Sequence, residues 1–168
     1  MKSSKKNHVH IYVDEEIIDQ NIKCFQRTLE MAYANYRIAT ADVAKCLGLN
    51  QSHAWRLLTV HCDSVPHMLA VAEYMGWNVV SLLEGRIEEC TTEAPDITWT
   101  GENMRRLMKE NGYTERAVAE ALPMNDDACA SRSTISRMKK RGILLIRELF
   151  AICQILNVDV QELFANPL

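Results

Sequence analysis

The chain has 168 residues, 48% hydrophobic and 24% charged, which suits a folded globular protein of one ordinary or two very small domains and excludes a disordered chain. No run approaches the roughly 18 consecutive apolar residues of a membrane span, and the basic start, MKSSKKNHVH, has no apolar signal core behind it, so a cytoplasmic protein is expected. The formal charge of -3 disfavours a nucleic-acid partner only when averaged, because a basic stripe on one face can coexist with acids on another.

Four prolines and six glycines are few for a protein of many turns, so helix is favoured throughout. Residues 1–16 form an N-terminal arm. Within it Val9, Ile11 and Val13 alternate over 8–13, either as a short strand able to pair with a second copy or as a partly ordered arm. Lys2, Lys5 and Lys6 either drape over phosphates or belong to a solvated tail.

Asp14, with Glu15 and Glu16 behind it, is a helix start signal. Apolar residues then recur at helical spacing in five short groups: Phe25, Leu29, Ala32, Tyr33; Val43, Ala44, Leu47; Ala54, Leu57, Leu58; Leu69, Val71, Ala72, Met75; and Val79, Leu82, Leu83. They define a first domain at 17–88. The acidic, Thr-rich stretch around Pro95 marks a linker at 89–98. A second domain at 99–168 repeats the plan with Met104, Leu107, Met108; Val118, Ala119, Leu122; Ile135, Met138; Leu149, Ile152, Ile155; and Val160, Leu163.

The repeat is visible in the residues themselves. Positions 43–47 align with 118–122 at an offset of 75, and 68–72 align with 149–153 at an offset of 81. The six extra residues fall in one loop of the second copy, PMNDDACASRST, where Pro123 ends a helix and Asp126 and Asp127 add acid.

The stretch TADVAKCLGLNQSHAWRLLT, at 40–59, carries a helix-turn-helix pattern. Ala44 is small where two helices must approach, Gly48 sits where the turn needs positive φ, and Val43, Leu47, Leu49, Ala54 and Leu57 lock the pair. At these residues the chain resembles the phage-repressor or Cro-like (lambda repressor-like) helix-turn-helix family, over about 20–85 and again over about 102–165. The resemblance implies an all-α protein of two tandem five-helix domains whose second motif helix enters the major groove of double-stranded DNA. It puts Asn50, Gln51, Ser52, Trp55, Arg56 and Thr59 toward DNA in the first copy. Asn50 and Gln51 match an adenine edge or a phosphate, and Arg56 a guanine or a phosphate; Trp55 suits either thymine methyls or a protein partner.

In the second copy the corresponding helix is SRSTISRMKK, at 131–140. Ile135 and Met138 face inward, which leaves Arg132, Ser133, Thr134, Ser136, Arg137 and Lys140 for DNA, with Lys139 and Arg141 adding charge. Five basic residues and no acid across 131–141 suit phosphate neutralisation. Gly142 is placed as a helix-ending glycine, and Leu144, Leu145 and Ile146 exceed one apolar stripe, as core or as a patch for association.

The six cysteines lie far apart and are expected to be reduced, buried thiols. His61, Cys62 and His67 lack the paired spacing of a zinc site, so no metal and no cofactor is expected. No phosphate-cradling glycine loop, G-x-S-x-G elbow or H-E-x-x-H helix is present, so an enzyme is not expected. Two functions remain. One is a sequence-specific DNA-binding regulator, a homodimeric repressor of phage or mobile-element type; the other is a helix-turn-helix protein acting on a protein partner as an antitoxin, anti-repressor or defence inhibitor. The second is favoured by the first copy, whose residues 17–88 hold six Lys or Arg against seven Asp or Glu.

Overall fold

The computed structural model describes residues 10–59, 62–123 and 131–168, without the side chains of residues 58 and 59. Among the described residues the chain is all-α, with no sheet. The first half holds α1 (Glu15–Tyr36), α2 (Thr40–Leu47), α3 (Gln51–Thr59), α4 (Val65–Met75) and α5 (Val79–Leu83). The second holds α6 (Ile97–Glu110), α7 (Glu115–Ala121), α8 (Arg132–Arg141), α9 (Ile146–Leu156) and α10 (Val160–Phe164).

Helix starts follow from short polar side chains that accept otherwise unpaired amides. Asp14 takes the N–H groups of Glu16 and Ile17, as its sequence context implied. Ser64, Asn78, Asp96, Thr114, Ser131 and Asp159 do the same for later helices. Each such cap stabilises its helix by about 1 kcal/mol. The ends recur too: Arg37 and Gly112 are left-handed 75 positions apart, and Gly76 and Asn157 are left-handed 81 apart.

Inside each half, the helices bury the apolar residues that the periodicity singled out. Phe25, Leu29, Ala32, Val43, Ala44, Ala54, Val71, Ala72, Val79, Leu82 and Leu83 are buried in the first, with Tyr33, Leu47, Leu69 and Met75 at its margin. Met104, Leu107, Val118, Leu122, Ile135, Met138, Leu149, Ile152 and Leu163 are buried in the second, in one cluster continuous with the first.

The halves are packed together. The segments entering α4 and α9 run antiparallel, Ser64 opposite Leu145, with Val65 N–H donating to Leu144 O and Ile146 N–H to Asp63 O, both at 2.9 Å. Under the 81-residue offset each of these bonds is the other's counterpart, so the junction has local two-fold symmetry. The packing around it follows the same rule: α5 lies against α10, while α1 meets α9 and α6 meets α4. Residues 144–146 thus associate, within the chain, with the other half.

One arm of this symmetry is reinforced. α1 begins seven positions earlier than the counterpart of Ile97, and the extension carries fully buried Ile18 and Asp19, which pairs with Arg147 of α9 at 2.6 Å. Asp14 also exchanges two hydrogen bonds with the Gln154 amide, at 2.8 and 3.0 Å. At the mirror positions Pro66 and Glu73 replace Arg147 and Gln154, and among the described residues the α4–α6 contact shows no equivalent of these bonds.

Three regions add detail to what the sequence implied. Residues 10–13 form no strand; Ile11 and Val13 pack at the margin of the core instead, and His8, Val9 and the three arm lysines lie outside the described residues. The 89–98 linker is pinned at its start, Asn78 N–H donating to Glu88 O and Cys90 N–H to Gly76 O at 2.8 Å, and its last two residues already belong to α6. Of the cysteines, Cys62 and Cys153 are buried, and burial pushes both thiols up to about 12, but Cys24 and Cys46 are exposed and Cys129 lies outside the described residues. No helix of the described residues is long and apolar enough to cross a membrane.

The site helix α8 rests on α6 at a close crossing. A methyl group on Gly101 would strike the carbonyl oxygen of Met138 and approach that of Lys139 to 2.9 Å. Backbone on both sides leaves no side chain to yield. We therefore expect Gly101→Ala to destabilise the chain by about 1–3 kcal/mol, the range for overpacked cores, read as a lower midpoint in urea unfolding.

Candidate nucleic-acid interface

Two exposed helix faces occupy matched places in the two halves. In α8 the apolar Ile135 and Met138 point inward, three residues apart, which turns Arg132, Ser133, Arg137 and Lys140 outward together. In α3 the matched inward residue is Ala54, and Gln51, Ser52, Trp55 and Arg56 are exposed. The 81-residue offset lays Gln51 on Arg132, Trp55 on Ser136 and Arg56 on Arg137.

The start of each helix is fixed by a cap at the same repeat position. Asn50 accepts the His53 amide through Oδ1 at 2.8 Å, and Ser131 accepts the Thr134 amide through Oγ at 3.3 Å. Asn50 therefore spends its carbonyl oxygen on the helix and offers only its amide N–H groups outward. Thr134 is half-buried with its hydroxyl 3.2 Å from that of Ser131, and Ser133 is 2.6 Å from the same hydroxyl. Ser136 is half-buried, and Thr59 closes α3 with its side chain outside the described residues.

The cations of α8 divide. Arg132, Arg137, Lys140 and Arg141 are exposed, and those in the last turn sit where the helix dipole is negative. Lys139 is different: it is half-buried and forms an ion pair with Glu115 in the first turn of α7. It thereby ties α8 to α7. Arg105, on α6, was not singled out by the sequence; its guanidinium donates to the Lys139 carbonyl at 3.2 Å and adds an exposed cation beside the end of α8. Nothing local could have found it, because the partner lies 34 residues away.

Behind each face stands the third residue of the following helix. Glu148 in α9 returns to the amide of Leu145, the uncharged cap position, in the manner of a capping box. Its Oε2 is buried with no hydrogen-bond partner among the described residues. Burial raises its carboxyl above the usual glutamate range, against the opposing pull of Arg137 and the Leu145 amide. Its counterpart is His67 in α4, whose ring stands edge-on to His53 of α3 at 6.4 Å and whose Nδ1 is likewise buried and unpartnered.

Comparison with known proteins bears on this geometry directly. Residues 103–166 match the Cro/C1-type HTH DNA-binding domain family. The match begins within α6 and runs through α10, so the exposed face of α8 lies inside the stretch that is similar to this family of DNA-binding regulators. It finds one copy of the domain where the sequence led us to expect two. No curated protein and no solved structure matches the chain significantly.

The half-buried carboxyl of Glu148 gives a signed expectation. Its raised folded-state value means that, as pH climbs past the ordinary glutamate range, the unfolded chain gives up the proton first and stability falls through that window. Glu148→Gln should therefore melt higher than the parent at pH 7, with the gap narrowing as the pH drops into the range where Glu148 takes its proton. Thermal melts followed by circular dichroism at stepped pH measure it; a parent that melts higher at pH 7 would show that Arg137 outweighs burial.

Proposed function

We propose that the chain is a sequence-specific double-stranded DNA-binding transcriptional regulator that sets α8 into the major groove. The observation that carries this reading is the outward face of α8, where Arg132, Arg137, Lys140 and Arg141 lie exposed on a capped helix within the matched domain. Arg132 and Arg137 have the planar fork that recognises guanine or a phosphate, and Lys140 and Arg141 supply phosphate contacts that release counterions.

The first half is proposed as a second, unmatched copy of the same domain, with α3 as its reading helix. Its contribution is weaker in charge: Arg56 is the one cation on the α3 face formed with Gln51, Ser52 and Trp55. Repression by occupying a promoter, a mobile-element setting and a cytoplasmic location are parts of the same proposal, supported by the resemblance in sequence. The second reading, a protein partner, is favoured by one observation, that Trp55 is 55% exposed in α3 while Tyr36, Tyr74 and Met31 are also exposed on that half.

Gel-shift titration against the DNA upstream of its own gene separates the two. Changing Arg137 and Lys140 to Ala should weaken binding roughly tenfold or more and flatten the salt dependence, since each lost phosphate contact removes about 0.9 from the slope. Binding that is unchanged in both respects would overturn the DNA reading of α8 and turn attention to a protein partner.

A further inference from the structure

We infer that one chain is a built-in dimer that grips two unlike half-sites on one duplex, without a second copy. The inference rests on the proposed DNA reading but goes past it, since it fixes how many chains act and what form of DNA they take.

In a two-fold homodimer, residue i of one subunit meets residue j of the other and j meets i. This chain meets that condition internally. Val65 donates to Leu144 while Ile146 donates to Asp63, and Ser64 faces Leu145, its own counterpart under the 81-residue offset. The helix contacts obey it as well, fifth against fifth (α5 and α10) and first against fourth in both directions (α1 with α9, α6 with α4). The surface that would join two copies is thereby occupied by the chain's own other half.

The junction follows closely on both reading helices. α3 ends at Thr59 and the paired segment starts at 63; α8 ends at Arg141 and its paired segment starts at 144. A two-fold rotation leaves unchanged the component of any direction along its axis, so the faces of α3 and α8 are turned the same way along it. Two such faces, on halves that share one packed core, suit two successive major-groove segments on one side of a duplex, about 34 Å apart.

The faces are not the same, and so neither are the half-sites. Arg56 and Arg137 coincide under the offset, but Gln51 stands for Arg132, Trp55 for Ser136 and Thr59 for Lys140. A guanine-matching fork at one position is thus replaced by an adenine-matching amide at its mirror. The favoured DNA has two half-sites with one element in common and different flanks, rather than a palindrome.

The test uses the full chain and a pool of duplexes with about 30 randomised base pairs, enough for two half-sites a helical turn apart. After selection, light scattering of the complex gives the number of chains per duplex, and hydroxyl-radical footprinting gives the protected stretches. We expect one chain per duplex, two stretches centred about 10 base pairs apart, and a titration with no cooperativity between chains. Arg56→Ala and Arg137→Ala, both at exposed positions, should each lose about tenfold in affinity and relax selection in opposite half-sites, with circular dichroism showing each variant still folded. Two chains per duplex, one protected stretch, or both variants relaxing the same half-site would overturn the built-in dimer while leaving the DNA reading intact. Failure to enrich any sequence would overturn both.

Discussion

The reciprocal main-chain pairing of residues 63–65 with 144–146 is the constraint on which the placement of every outward-facing side chain depends. Two hydrogen bonds contribute only about 1 kcal/mol each, net of the water they replace. Their larger effect is on register. A slip by one position would swap donor for acceptor along the segment and bring Leu145, rather than Ile146, toward the core, leaving one of the largest fully buried side chains without its place. Apolar packing of α1 on α9 and α5 on α10 supplies the stabilisation, and the paired segments decide which arrangement that packing stabilises. Because each segment enters a core helix a few residues after the end of α3 or α8, both exposed helices are tied to the same junction.

Charge is distributed by the same logic. The net charge of -3 conceals a separation, since many of the acids are helix starters: Asp14, Glu15 and Glu16, then Asp96, Glu115 and Asp159. There they meet free amides and the positive helix end, so they stabilise structure. Glu115 does both jobs, standing at the start of α7 and holding Lys139. That pair couples α7 to α8. Surface ion pairs of this kind contribute modestly to stability, but one that bridges adjacent helices also restricts how far the basic face can tilt.

What the sequence disclosed and what it withheld divide along the range of the interactions involved. The helical periods, the five-group plan, the repeat and the caps at Asp14 and Gly48 are local, and residues within a turn or two of one another determine them. The inward set Ile135 and Met138 follows from spacing alone, so the outward set of α8 follows too. The partnership of Lys139 with Glu115, the support of α8 by Arg105 and the close crossing at Gly101 join residues more than twenty positions apart, and no spacing rule reaches them. Residues 144–146 show the boundary well. Their apolar excess was legible as either core or association, but only the fold shows that the surface they meet is the matching segment of the same chain.

The unmatched first half is intelligible as a consequence of that internal pairing. In a homodimer of identical subunits, a substitution on the reading face changes both half-sites at once, so the face is tied to a palindrome. Once two copies share one chain, each face varies alone while the junction keeps them in register. The residues that hold the register, Val65 with Leu144 and Ile146 with Asp63, work through main-chain atoms and so tolerate dissimilar side chains. The exposed faces of α3 and α8 differ accordingly: Gln51 against Arg132, Trp55 against Ser136, and an acidic total for 17–88 against a basic α8. On this argument the weak charge of the first half is not a failure of the helix-turn-helix plan. On the proposed DNA reading, a cation-rich α8 supplies most of the attraction to phosphate, and α3, tied to the same junction, needs only enough affinity to report on the sequence beside it.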